Sequence, residues 1–331
     1  MKTLVIAAPA KVKLSEMPEP VPLADEALIA VKACGICGSE MDGYREGKAG
    51  TCTGHEVAGV VEKPGNSGRL KKGDRVVLNV VGGCGSCEPC ASGHENHCQD
   101  IWTKGRSVRP QGHAEKVVYV ERNCLKIPDD LSFESAIMVG GCGIGVAWHG
   151  LKRLGIQPDE WIPVFGVGPI GLAAVSIVKQ LGAKPIALDL SEFRLNLAVQ
   201  CGAVEKINSR QTEAVEKALK AFKIRRGILC TGHHGAANTA LRCLTPLGTL
   251  LILGGLNAWP MNSWQMIGVG DKTIMGSWHY HRAEWDEILA LNQKKLPLDT
   301  MITHRYPFNA ANEAYAMFAG GNSGKVVLIV S

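Results

Sequence analysis

Short runs in which apolar and polar residues alternate, or β-branched residues cluster, occupy positions 2–7, 27–33, 57–62, 75–81 and 116–122. A period of two sends successive side chains to opposite faces, so each run predicts a strand with one face buried. Turn-rich segments such as Pro18-Glu19-Pro20-Val21-Pro22 and Pro64-Gly65-Asn66-Ser67-Gly68 separate these runs. The pattern predicts a mostly β region over about the first 130 residues.

From about Ser132 the period lengthens and apolar strands alternate with helices. Helices are expected over 132–139, 144–154, 169–181, 192–201 and 212–222 and near 236–243, and strands over 161–165, 185–189, 227–230 and 249–253. Strand and helix in alternation predict a parallel sheet with helices on both faces. A strand at 274–278, a helix at 283–292, a short strand near Ile302, a helix at 310–318 and a strand at 325–330 follow. By pattern alone this tail either extends the parallel sheet or returns to the first region.

A chain of 331 residues exceeds one ordinary core and fits two domains, and 46% apolar with 20% charged residues describes a folded globular protein. The net charge of +5 is scattered, with basic residues gathered into no more than short doublets such as Lys71-Lys72 and Arg225-Arg226, which argues against a nucleic-acid partner. Uncharged runs at 161–178 and 245–270 are long enough to span a membrane, but glycines and prolines break both, so they read as buried α/β core and no membrane partner is expected. The N-terminal apolar run is too short for a signal peptide and reads as a first strand. Of 12 cysteines, four crowd into positions 84–98 and two lie at 34 and 37, a clustering that suits metal ligation in a reducing compartment, hence the cytoplasm.

Cys84, Cys87, Cys90 and Cys98 give C-x2-C-x2-C-x7-C in a Gly-rich lobe with few apolar residues. Four thiolates close a tetrahedral shell around zinc, the arrangement of a structural site. His94 or His97 in place of one cysteine is an alternative, and so is an iron–sulfur cluster, although nothing nearby resembles an electron-transfer module. Cys34-Gly-Ile-Cys37-Gly-Ser39 followed by Gly54-His55-Glu56 reads as half of a second metal site. Cys142, between the β region and the α/β region, completes Cys2His with an open fourth position.

Strand 161–165 leads into Gly166-Val167-Gly168-Pro169-Ile170-Gly171 and then an apolar helix. In that context the glycines permit a tight turn (Gly166), backbone approach to a pyrophosphate (Gly168) and close helix–strand packing (Gly171). A diphosphate suits the helix N-terminus, at Pro169 and Ile170, where free N–H groups and the helix dipole favour an anion. Asp189 ends the next strand, 23 residues after Gly166, where a carboxylate accepts the adenosine ribose hydroxyls and repels a 2′-phosphate. NAD is therefore expected over NADP, with Arg194 in the following helix working the other way.

Cys34 to Ser39, Gly54-His55-Glu56-Val57-Ala58-Gly59, Gly73-Asp74-Arg75-Val76, the four-cysteine lobe, Cys142, and the glycine loop with Asp189 resemble, in order and approximate spacing, the zinc-dependent medium-chain alcohol/polyol dehydrogenases, including the sorbitol and threonine dehydrogenases. The resemblance covers essentially the whole chain. It implies an α/β protein with a GroES-like β domain over 1–142, a Rossmann NAD-binding domain with a doubly wound parallel sheet over 143–280, and a tail, 281–331, that returns to the β domain. It also implies a catalytic zinc on Cys37, His55 and Cys142, the ligand set already known for alcohol dehydrogenase. Glu56 would stand behind that zinc as a supporting or exchanging ligand, Ser39 would take the alcohol proton, and Cys34 would be a buried thiol.

Three departures from the family pattern fall inside the same stretch. Glu40 stands where many relatives have Asp to orient the zinc-bound histidine, Asp42 where some relay the proton through histidine, and the loop before His55 is short. Tyr44, Arg45, Trp102, His113, Trp278, His279 and His281 fall on loops that border the cleft in the family, and a polar, aromatic set suits a hydroxylated substrate. The expected activity is oxidation of a secondary alcohol or polyol, a sugar alcohol or cyclitol, by NAD. The alternatives are an amino-alcohol or threonine-type dehydrogenase, and a non-catalytic NAD-binding protein of the same fold. The family also implies a homodimer or homotetramer through edge strands of the Rossmann sheet, with 250–256 as a contact.

Overall fold

A computed structural model describes residues 1–48, 54–100, 111–293 and 296–331, and Trp102 lies outside them. The chain divides into one unit of residues 1–145, 279–292 and 302–331 and a second of 146–278 and 293–301. The first break falls inside the helix Ile144–Leu154, a few residues after the expected boundary at 142. The tail is split rather than returning whole, because the short helix Leu298–Met301 packs on the helices Pro169–Gln180 and Glu192–Gln200 of the second unit.

The first unit is built on a seven-stranded sheet whose path runs Ile302–Pro307, Lys325–Ile329, Glu26–Gly35, Glu56–Lys63, Arg75–Leu78 and Cys124–Lys126, with Lys116–Val120 also paired to Glu26–Gly35. Glu26–Gly35 is the hub. Its ten residues pair antiparallel with three neighbours, and Ala27, Ile29, Val31 and Cys34 are nearly inaccessible to solvent. One core joins that sheet to Tyr315 and Phe318 of the helix Ala311–Ala319. The pair of terminal-segment strands thus belongs to this sheet, with Lys325–Ile329 antiparallel to the hub. The strand expected over 75–81 stops at Leu78. Lys11–Glu16, paired with Lys2–Ala8, was not foreseen, because Val12 is its one fully buried side chain and the lysines on either side face solvent.

In the second unit six parallel strands run, edge to edge, Glu205–Asn208, Lys184–Asp189, Trp161–Phe165, Arg226–Leu229, Thr249–Ile252 and Thr273–Gly276. In chain order this is 3-2-1-4-5-6, so the winding reverses beside Trp161–Phe165. Ligands of such sheets bind at the carboxyl ends of the strands at that reversal. The uncharged run at 161–178 resolves into a strand and a largely buried helix, and among the described residues no helix is long and apolar enough to cross a membrane. Of the run expected as a contact, Leu250 and Leu251 are buried in a strand flanked on both sides, and the edge strands of the sheet are Glu205–Asn208 and Thr273–Gly276.

Gly59 shows how tightly the hub pair is packed. A Cβ there would run into the carbonyl oxygen of Ala30 and lie 2.9 Å from Ile29 Cγ2. Gly59→Ala is expected to destabilise the protein by about 1–3 kcal/mol, the usual cost of overpacking, read as a lower urea midpoint; an unchanged midpoint would contradict this register.

Candidate functional site

The hub strand ends at Gly35 opposite Glu56, so register alone brings the loop carrying Cys37 beside His55 and Glu56. A side chain at Gly35 would collide with the Glu56 carboxylate, and one at Gly141 would lie 3.1 Å from Glu56 Cβ. Cys142 arrives from the far side, just past the helix Phe133–Gly140, which Ser132 caps by accepting the Ser135 N–H and which packs on both strands. Tyr280 ties down the end of that helix by donating to the Gly140 carbonyl at 2.6 Å.

The candidate ligand atoms of Cys37, His55, Glu56 and Cys142 all lie within 4.8 Å of one another. Cys142 Sγ is 3.4 Å from His55 Nε2, near the roughly 3.6 Å separation of sulfur and nitrogen on one tetrahedral zinc. His55, Glu56 and Cys142 are buried and Cys37 is half-buried, so the cluster is reached from the Cys37 side. This donor set fits zinc, and three ligands leave a position for substrate. The S–H of Cys142, aided by His55, holds the Cys37 thiol well below its ordinary range, and the same contact and burial push Cys142 up. Burial opposes charge on His55, but the Cys37 thiolate outweighs it and raises the imidazole to about 10.

Three neighbours complete this centre. Glu56 is fully buried, and its two oxygens accept from Lys325 Nζ at 2.7 and 2.5 Å, so its carboxylate is held by an ammonium as well as facing the cluster. Ser39 is exposed, and its hydroxyl donates to Cys37 Sγ at 3.4 Å. Cys34 is buried. Lys325 was not anticipated from sequence; the available signal was one charge at the start of an otherwise apolar strand, Lys325–Ile329.

The other four cysteines also converge. Cys84 and Cys90 sulfurs are 3.9 Å apart and those of Cys87 and Cys98 3.8 Å, against about 3.8 Å for thiolates on one tetrahedral zinc. The N–H groups of Cys84 and Cys87 donate to Cys98 and Cys84 sulfurs, as suits thiolates. His94 and His97 turn instead toward the ring of His281, at 4.4 and 5.7 Å, so the cluster is all-cysteine.

In the second unit Gly166 has φ +85°, Gly168 caps the helix Pro169–Gln180, and a side chain at Gly171 would strike the Gly166 carbonyl. Pro169 and Ile170 form the first turn. Asp189 accepts the Val167 N–H at 2.9 Å and the Ser191 N–H at 3.0 Å, fixing loop and next helix together. The mostly buried Arg194 guanidinium comes within 4 Å of where a Gly168 Cβ would stand, and burial lowers its pKa.

Among the described residues, those expected to line the pocket differ in exposure. Tyr44 and His113 are interior, 3% and 1% exposed, and both rings pack against Tyr315. Arg45 is at the surface beside Asp42, His279 is buried, and Trp278 is half-buried in the second unit. Removing the ammonium tests the buried pair most directly. Lys325→Met strands the Glu56 charge and is expected to cost about 3–5 kcal/mol, measured by chemical denaturation; a loss below about 1 kcal/mol would show the pair to be dispensable.

Two family models match the chain, the alcohol dehydrogenase GroES-like domain over residues 23–129 and the zinc-binding dehydrogenase over residues 169–294. The chain is 30% identical to the sorbitol dehydrogenase of Bacillus subtilis over 95% of its own length and 92% of that protein. Among solved structures it is similar to an Escherichia coli alcohol dehydrogenase complexed with NADH (26% identity, TM-score 0.86, 99% of each chain). Galactitol-1-phosphate dehydrogenase of Escherichia coli is equally similar (26% identity, TM-score 0.86, 99% of this chain and 100% of that one). With a GroES-like β domain, a Rossmann-type sheet and clustered zinc-type ligands, the chain belongs to the zinc-dependent medium-chain alcohol/polyol dehydrogenase family.

Proposed function

We propose that the protein oxidises a secondary alcohol, of the polyol or cyclitol class, with NAD as hydride acceptor. The observation that carries this reading is the convergence of Cys37, His55 and Cys142 on one point reached from the Cys37 side. Sorbitol and galactitol-1-phosphate dehydrogenases among the relatives support a hydroxylated substrate, and the NADH complex of another supports the cofactor.

Zinc bound there would supply a Lewis acid that makes a substrate hydroxyl acidic near neutral pH. The chain's own groups do the rest. Cys37, His55 and Cys142 hold the metal, and Glu56, balanced by Lys325, backs it. Ser39, exposed next to Cys37, accepts the hydroxyl proton as it passes its own to solvent, while Asp42, 76% exposed beside Arg45, stands at the surface. Gly166 and Gly168 shape the turn and Pro169 opens the helix, so that the diphosphate sits against the N–H groups of its first turn, at Ile170 and Gly171. Asp189 keeps unused lone pairs on both oxygens for the ribose hydroxyls, and Arg194 faces the diphosphate side. Cys84, Cys87, Cys90 and Cys98 hold a second, structural zinc. Ligating thiols suit a reducing compartment, the cytoplasm. We also place a homodimer or homotetramer contact on the free edge Thr273–Gly276, near which Leu247, Trp264 and Val269 expose large apolar surfaces.

Metal analysis is expected to give about two zinc per chain and about one in Cys142→Ala; a variant that keeps both, or full activity, overturns the ligand assignment. A panel of polyols, cyclitols and β-hydroxy amino acids followed by NADH absorbance should show polyols or cyclitols turned over fastest. Preference for the amino acids would move the activity to the amino-alcohol reading, and no turnover by any of them would refute it. Asp189→Ser is expected to weaken NAD more than NADP, and the reverse order would overturn the cofactor assignment.

A further inference from the structure

Glu40 lies in the turn after Cys37, is 3% exposed, and carries a carboxylate with five polar neighbours named among the described residues. Oε1 accepts the Gly54 N–H at 2.7 Å and stands 3.6 Å from His55 Nδ1. Oε2 accepts the Cys37 N–H at 3.2 Å and the Tyr315 hydroxyl at 3.3 Å, and His113 Nε2 is 3.5 Å away. One carboxylate therefore ties the backbone of one ligand, Cys37, to that of the residue before another, His55. With its proton directed to Glu40, the Tyr315 oxygen can accept from His113 Nε2, 2.8 Å away, in the tautomer protonated there.

We propose that Tyr315 and His113 are positioning residues of the Cys37/His55/Cys142 centre, clamping Glu40 so that its other oxygen faces His55 Nδ1. The inference rests on the metal-site reading above and extends it to two residues that touch neither metal nor substrate. A glutamate has one more rotatable bond than an aspartate and loses about 1.5–2 kcal/mol of rotamer freedom when fixed, so alone it defines its oxygens poorly. The clamp supplies that definition from two distant places. Tyr315 comes from the helix Ala311–Ala319, 275 positions away, with its ring braced 5.1 Å from that of Tyr44. His113 is anchored by its carbonyl, which accepts from the Leu4 N–H at 2.7 Å and the Thr3 hydroxyl at 3.1 Å. Its ring lies flat against Gly54, where any Cβ would collide with it and where φ is +62°. Partners that orient a ligating histidine commonly change metal affinity about 10–100-fold.

The four-thiolate lobe offers an internal control. In cobalt-substituted protein the two sites differ in visible spectrum, since one has four sulfur donors and the other two sulfurs and an imidazole, so chelator-driven metal loss can be followed at each. Tyr315→Phe, which deletes one oxygen and keeps the ring, is expected to speed loss from the Cys2His site about 10-fold and shift its band, with the four-thiolate site unchanged. His113→Leu should do the same. His113→Gln, which can still donate to Tyr315, should stay close to the parent. Equal acceleration at both sites, unchanged loss in Tyr315→Phe, or a Gln variant as impaired as the Leu variant would overturn the proposal. A parent protein that binds one metal per chain would instead refute the metal-site reading itself.

Discussion

The antiparallel register of Glu26–Gly35 with Glu56–Lys63 is the constraint on which the metal centre depends. Pairing Gly35 with Glu56 fixes where the Cys37 loop leaves the sheet and where His55 enters it. The same hub strand pairs on its other side with Lys325–Ile329, Gly35 opposite Val327, so the C-terminal segment delivers the Lys325 ammonium to the back of the cluster. A slip of one residue would turn these side chains to the opposite face. Glycines at 35 and 141 then let the helix that precedes Cys142 approach the Glu56 side chain. Backbone geometry sets the site before any side-chain chemistry acts.

Charge explains why this geometry is tolerable in an interior. Glu56 balances Lys325 within hydrogen-bonding distance, and Cys37, His55 and Cys142 beside them offer donors that fit a divalent cation. Lys325 stays ionised because the Glu56 carboxylate, with Cys37 and Cys142, outweighs the burial that would discharge it. Glu40 is similarly held well below the usual carboxylate range, against its burial, by His113 and His55. Removing one member of such a set leaves the full desolvation cost of the other.

What could be read from the sequence follows from how local each signal is. The eight clustered metal ligands and the glycine loop were legible because coordination and phosphate binding demand particular residue types at short spacings. Lys325, Tyr315 and His113 gave no such signal, since their roles arise from contacts 269, 275 and 202 positions apart in the chain. His113 and Tyr44 read as pocket residues by family position, yet burial makes them internal supports. The strand Lys11–Glu16 was missed for a related reason: an edge strand exposes its lysines, so its alternation looks polar. Leu250 and Leu251, within the run expected as a contact, lie inside a flanked strand, because an apolar run marks a central parallel strand as readily as an exposed edge.

Asp189 joins the two kinds of signal. Its position at the end of the second strand of the fold marks it as a ribose acceptor, while its two hydrogen bonds show that it also pins the loop, through Val167, and starts the next helix, through Ser191. The two duties are compatible because each carboxylate oxygen can accept more than one donor. They are also chemically linked. An amide at this position would keep one acceptor for the loop but present an N–H to the other backbone donor, so order of the loop and selection of the dinucleotide would fail together. A carboxylate is therefore favoured here by the protein's own backbone, which turns two N–H donors toward it.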